Sequence, residues 1–171
     1  MIFNLFLLII IIFLLFVLSM VWPPDSPWAP WWRTNSKTAR AMCKLAKIKK
    51  GEMIYDLGSG DGTALVIAAK EFNAKGVGIE IDAFRYFISK INFKLNKQDK
   101  NLIAKRKNFF DEDLKNADIV FIYLVPTTLK KLLPKLKKEL RKGTRIVSYV
   151  YKMDLPLTSE DKKNKIRLYT I

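Results

Sequence analysis

Residues 2–21 form an apolar run broken only by Asn4 and Ser19, with no charge inside it. Twenty helical residues rise about 30 Å, roughly the hydrocarbon thickness of a bilayer, so the run predicts a membrane-spanning helix. No basic residue precedes it, and Leu18-Ser19-Met20 is a poor cleavage site, which disfavours a removed signal peptide. Trp22, Trp28, Trp31 and Trp32 then interleave with Pro23, Pro24, Pro27 and Pro30. Tryptophans at that depth suit an interfacial belt, and the prolines stop the helix. The pattern thus divides the chain into an anchor at 1–21, a linker at 22–35 and a domain at 36–171.

Within the domain, short apolar runs alternate with segments of helical period. A helix is predicted over 37–48, with Ser36 as N-cap and Gly51 past its end. Strands follow at 53–57, 76–81, 102–109, 118–124, 145–151 and 166–169. Between them lie helices at 62–72, at 83–97 and around 128–142, the last containing Pro134, which should kink it. In the second of these, Phe84, Phe87, Ile88, Ile91 and Leu95 recur at helical spacing. Strands that are apolar almost throughout, alternating with helices, predict a doubly wound, Rossmann-like α/β domain with about six mostly parallel strands.

Charge adds a partner class and an orientation. Lys and Arg number 31 against 16 acids, a net +15, and every basic residue lies at or after Arg33. Such a surface favours anionic partners, or is simply a lysine-rich solubilising one. Arg33, Lys37, Arg40, Lys44, Lys47, Lys49 and Lys50 crowd the domain side of the apolar run, which predicts a single-pass protein with its N-terminus outside and its domain cytoplasmic. One cysteine, Cys43, and no histidine exclude an internal disulfide, a histidine-based triad and a zinc site of the usual kind; no metal is expected.

In a doubly wound sheet, ligands bind beyond the carboxyl ends of the strands. The first strand ends in Asp56-Leu57-Gly58-Ser59-Gly60-Asp61-Gly62, and the second ends in Glu80, 18 residues past Gly62. The glycines allow a sharp strand-to-helix turn and close approach of a ligand, and a carboxylate at Glu80 can accept both ribose hydroxyls of a nucleoside. A pyrophosphate would be repelled by Asp56 and Asp61, whereas a sulfonium and an ammonium would be attracted. S-adenosylmethionine (SAM) carries both and no phosphate.

Asp-Leu-Gly-Ser-Gly-Asp-Gly at 56–62 resembles the first motif of class I SAM-dependent methyltransferases, and Gly-Ile-Glu-Ile-Asp at 78–82 resembles their second. The likeness runs from about residue 40 to 152. It implies that Asp56 and the backbone of Gly58, Ser59 and Gly60, with Gly62 closing the turn, hold the methionine part of the cofactor. It places Glu80 on the ribose, and Ile81, Asn108 and Phe109 at the adenine; many members have Asp where Asn108 stands. The apolar run and Tyr123-Leu124-Val125-Pro126 are similar to features of the small membrane-anchored lysine methyltransferases that modify ATP synthase c-subunit and adenine nucleotide translocase, and of their prokaryotic relatives. That likeness implies a lysine methyltransferase of this type, and the tether implies that its acceptor is a lysine of a membrane-associated protein. The fourth strand tip, with Tyr123 and Pro126, should face the methyl group, where Tyr123 either orients the acceptor amine or is a core aromatic. The Asn-Pro-Pro-Tyr signature of nucleobase and glutamine methyltransferases is absent.

Two rivals stand beside this reading: methyl transfer to a lipid, quinone or other small amphiphile, and a non-catalytic tethered module binding a nucleoside or RNA. Against RNA, the chain has no RNP-like aromatic pair, no Gly-x-x-Gly loop and no Arg-rich tract, so no nucleic-acid partner is expected. Asp111, Glu112 and Asp113 form an acidic stretch suited either to attracting a cationic acceptor or to solvation.

Overall fold

A computed structural model describes residues 2–21 and 33–171, with the side chains of the first segment described over 4–18. Helix α1 runs Ile2–Val21, and Phe16 meets Phe84 edge to face at 5.7 Å. The tryptophan–proline belt expected at 22–32 lies outside the described residues.

The membrane placement expected from the sequence is corrected here. Among the described residues, no helix is long and apolar enough to cross a membrane. The described side chains of α1, at 4–18, are all exposed. The single-pass assignment, with its outside N-terminus and cytoplasmic domain, falls with that finding.

The domain alternates as expected: α2 (Ser36–Leu45), β1 (Met53–Leu57), α3 (Thr63–Phe72), β2 (Lys75–Glu80), α4 (Ala83–Leu95), β3 (Leu102–Arg106), a short 3-10 turn (Phe109–Asp111), β4 (Ile119–Ile122), α5 (Pro126–Glu139), β5 (Arg145–Tyr149), β6 (Leu157–Asp161) and β7 (Ile166–Thr170). The strands form one seven-stranded sheet in the order β3-β2-β1-β4-β5-β7-β6. The first five pair in parallel, and β7 joins β5 and β6 in antiparallel fashion. The sheet has one strand more than the pattern predicts. The extra strand, β6, is an edge segment of sequence Leu-Thr-Ser-Glu-Asp that is mostly exposed, so it carries no apolar signal.

Strand alternation sorts the core into two layers. Ile54, Ile119, Phe121 and Val147 face α2 and α3, packing with Leu65 and with Phe93 of α4. Tyr55, Leu57, Val120, Ile122 and Ile146 face the other way, onto Leu129, Leu132 and Leu136 of α5. Pro134 sits inside α5, and Pro126 occupies its first turn, where a missing N–H costs nothing. The N-cap of α2 is Asn35, not Ser36: the Asn35 side chain accepts from the Thr38 N–H at 2.9 Å.

Helix α4 lies where the pattern puts it but presents an unexpected face. Its buried residues are Arg85, Ser89 and Phe93, whereas Phe84, Phe87, Ile91 and Leu95 are exposed. The reason is the neighbouring glycine turn: a Cβ on Gly62 would lie 2.5 Å from Phe93 and 3.3 Å from Ser89. The Asn92 amide also donates to the Asp61 carbonyl at 2.9 Å. The helix is therefore oriented by what packs on the turn, and its apolar stripe faces outward.

Candidate functional site

The order of the sheet reverses direction at β1, which is flanked by β2 and β4, so the carboxyl ends of these strands open the crevice typical of ligand sites in such folds. In register, Asp56 lies beside Gly78 of β2 and Phe121 of β4. Gly58, Gly60 and Gly62 take φ of 84°, 56° and 74°, a left-handed region that side-chained residues rarely adopt. This chain of turns lets the Gly58 and Ser59 N–H groups donate to the Ile79 carbonyl at 2.9 and 3.0 Å, clamping the loop over β2. Ser59 presses its side chain against Gly78, where any Cβ would sit 2.7 Å from its Oγ. That hydroxyl is buried without a hydrogen-bond partner.

Two buried carboxylates rise over this turn. Glu80 accepts the Gly60 N–H at 2.9 Å through one oxygen and the Asp82 N–H at 3.0 Å through the other. Burial pushes its pKa up against those two hydrogen bonds. Asp56 is pushed up to about 7, first by burial and then by the charges of Glu80 and Asp61. Asp61 is paired with Arg33 at 2.7 Å and accepts the Thr63 N–H. A cationic ligand set among these acids would relieve both the desolvation and the mutual repulsion. The residues thus fit a nucleoside carrying positive charge, and at Gly62 the turn has no room for a side chain.

The other expected residues fall around the same strand ends. Ile81 follows β2 directly and is half-buried. Asn108 caps the 3-10 turn, its Oδ1 accepting the Phe110 N–H, and Phe109 is buried against Phe110 with ring centroids 4.8 Å apart. Tyr123 and Leu124 stand one and two residues past β4, and Leu124 would touch a Cβ on Gly58 at 3.7 Å. Pro126 begins α5, and the Val125 carbonyl before it is taken by the Thr128 and Leu129 N–H groups. That carbonyl is not left for an acceptor amine. Nor is the acidic stretch a free patch: Glu112 is buried and bonded to Lys105 at 2.5 Å and Lys107 at 3.2 Å. Among the described residues, no cluster of three or more acids, Cys or His is placed to hold a metal.

Sequence reasoning missed Tyr149 and Tyr151, which gather on Tyr123. The Tyr123 and Tyr149 rings cross edge to face at 4.6 Å, and Tyr123 stacks on Tyr151 at 6.4 Å. The only sequence signal was a pair of tyrosines flanking one residue at the end of an apolar run. A separate basic cavity of about 490 Å³, lined by Lys37, Arg40, Lys44 and Asp161, lies between α2 and the β6–β7 hairpin. It shares no residue with the strand ends.

A doubly wound sheet with a triple-glycine turn and paired carboxylates at its switch point defines a SAM-dependent methyltransferase, and the comparisons with known proteins agree. Residues 56–156 match the model of the ANTKMT methyltransferase domain. The chain is 36% identical over 135 residues to a protein-lysine N-methyltransferase of Saccharolobus islandicus, covering 78% of this chain and 82% of that protein. It is 27% identical over 120 residues to the mouse (Mus musculus) adenine nucleotide translocase lysine N-methyltransferase, covering 70% of this chain and 52% of that one. A solved RNA methyltransferase from Salinibacter ruber, bound to S-adenosyl-L-homocysteine, superposes with a TM-score of 0.78 at 30% identity, covering 82% of this chain and 94% of that one. The chain belongs to the ANTKMT methyltransferase domain family, within the SAM-dependent protein-lysine methyltransferases.

Proposed function

We propose that this enzyme N-methylates a lysine side chain of a protein acceptor. SAM supplies a methyl carbon made electrophilic by its sulfonium. Asp56 and the Gly58–Gly60 backbone hold the methionine portion in this reading, and Glu80 accepts from the ribose hydroxyls. Ile81, Asn108 and Phe109 border the adenine. What carries the cofactor assignment is the pair of buried carboxylates, Asp56 and Glu80, poised over three left-handed glycines, and the lysine acceptor is supported by the likeness to the Saccharolobus enzyme.

Transfer to an amine is an in-line displacement, so alignment does most of the work. The amine lone pair forms the new N–C bond as the C–S pair leaves with sulfur, and the nitrogen then sheds a proton to solvent. Residues at the end of β4 would align the nucleophile, and a partly desolvated site lowers the acceptor's pKa so that it arrives neutral. A second reading, an RNA acceptor, is favoured by the likeness to the Salinibacter enzyme and by the net +15 charge. Labelled methyl transfer from SAM into a cell extract separates the two. Label released by protease and recovered as methyl-lysine after acid hydrolysis is expected; label released by ribonuclease would contradict the lysine assignment.

A further inference from the structure

Beyond the cofactor, the carboxyl ends of β4 and β5 carry the three half-buried tyrosines 123, 149 and 151. Strand parity decides where they stand. Ile54, Phe121 and Val147 share one face of the sheet, and continuing the alternation puts Asp56, Tyr123 and Tyr149 on that same face at its carboxyl end. Tyr149 follows Ser148, which pairs with Ile122, so it sits beside Tyr123 across the strand gap.

The link from Tyr149 to Tyr151 is unusual. Val150 has φ 68°, a value that a β-branched residue avoids. The Tyr151 N–H donates to the Tyr149 carbonyl at 2.9 Å, closing a three-residue turn. A γ-turn with positive φ at its centre is the rare, strained form. It persists because its surroundings hold every polar group. The Val150 N–H donates to the Lys165 carbonyl at 2.8 Å, Arg167 donates to the Val150 carbonyl at 2.6 Å, and Ser148 donates to the Tyr151 carbonyl at 2.7 Å. Arg167 is itself fixed by Glu160 at 2.9 Å. The β6–β7 hairpin thus forces a turn whose effect is to swing Tyr151 back over Tyr123. Backbone strain held so completely is characteristic of functional sites.

We propose that Tyr123, Tyr149 and Tyr151 form an aromatic cage that receives the acceptor's alkylammonium group, including its methylated forms, before the nitrogen moves on toward the methyl donor and loses its proton to solvent. The inference rests on the reading that acceptor approaches at the β4 end. The Tyr123 ring centroid lies 4.6 Å from that of Tyr149 and 6.4 Å from that of Tyr151, so a cation seated against one ring comes near a second, and a ring face attracts a cation over roughly 6 Å. Burial, with the two neighbouring phenols, pushes the Tyr123 pKa up, which keeps its ring neutral. A cage of neutral rings keeps its hold as methyl groups replace N–H bonds, because cation–π attraction does not depend on donors. Tyr123, Tyr149 and Tyr151 would therefore be specificity-determining, retaining a mono- or dimethylated lysine for another round.

The test uses the full chain loaded with S-adenosyl-L-homocysteine, titrated with choline and with choline's uncharged tert-butyl isostere, while tyrosine ring resonances are followed by NMR. Choline should shift these three rings and bind at least about fivefold more tightly than the isostere. Tyr151→Phe, which keeps the ring face, should retain that preference, and Tyr151→Ala should lose it. Equal binding of the two probes, or a preference that survives in Tyr151→Ala, would overturn the cage. In parallel, wild-type product should run to trimethyl-lysine and the Tyr151→Ala product should stop at lower states. A choline preference without any methyl-lysine would remove the lysine reading and leave the cage standing, so the two claims fail separately.

Discussion

Asp56 holds its proton more tightly than a solvated aspartate because burial and two neighbouring acids disfavour its charge. With a pKa of about 7, the native state binds more protons than the unfolded chain between the ordinary aspartate value and 7. The stability of the ligand-free protein attributable to this group therefore falls as pH rises through that window. With the cofactor at the proposed site, binding reverses the preference, since a cationic ligand needs the carboxylate. Affinity for SAM is accordingly expected to rise with pH up to about 7, with proton release on binding below it. Calorimetric titration at pH 6 in two buffers of different ionisation heat measures this; identical heats in both would refute it, and Asp56→Asn should abolish the difference. Gly62 is a second residue whose chemistry is confined by its place. Gly62→Ala meets both a φ of 74° and a contact of 2.5 Å to Phe93, whereas Gly143→Ala, at φ 90°, has nothing within 4 Å. Urea unfolding should show the first costing about 2–4 kcal/mol and the second about 1–2 kcal/mol. Equal losses would mean that Phe93 yields freely.

At the scale of elements, the β6–β7 hairpin holds the turn at Val150, beside the proposed tyrosine cage, through Arg167. Arg167→Met removes the donor to the Val150 carbonyl and the pair with Glu160. Hydrogen exchange at the Val150 and Tyr151 amides should then accelerate while that at β1 amides stays unchanged; uniform acceleration would mean that Arg167 merely supports the fold. This hairpin also marks where the sequence stops being informative. Strands that are buried on both faces announce themselves by continuous apolar runs, so β1, β2, β4 and β5 were legible, each within a few residues. The polar edge strand β6 was not, because its residues answer to pairing with β7 and not to burial. The orientation of α4 was hidden for a related reason: apolar spacing gives a face but not its direction, and a close-packed glycine turn outweighed the stripe of Phe84, Phe87 and Ile91. The apolar run at the N-terminus forms a helix as expected, yet the inference drawn from its length did not stand.

Across the whole molecule, the proposed site is assembled from residues more than sixty positions apart in the chain. Asp56, the glycine turn and Glu80 were legible because a doubly wound fold fixes where strand tips meet, and local motifs mark those tips. The tyrosine cluster was not, since it depends on β4 pairing with β5 and on one strained turn, neither of which leaves a motif. A ligand that binds only the native state stabilises the entire domain, by about 2.7 kcal/mol at a hundredfold excess over its Kd. For a chain of this size that corresponds to roughly 5–10 °C in melting temperature. The most direct test of the proposed site is thus thermal unfolding with and without SAM for three proteins: wild type, Glu80→Gln, and Glu52→Gln as a control in the same β1–β2 region but at the opposite end of the strands, where it pairs with Arg145. Wild type and Glu52→Gln should show the full shift, and Glu80→Gln only a small fraction of it at the same SAM concentration. A shift in Glu80→Gln equal to that of wild type would contradict the placement of the cofactor at the β1–β2 strand ends.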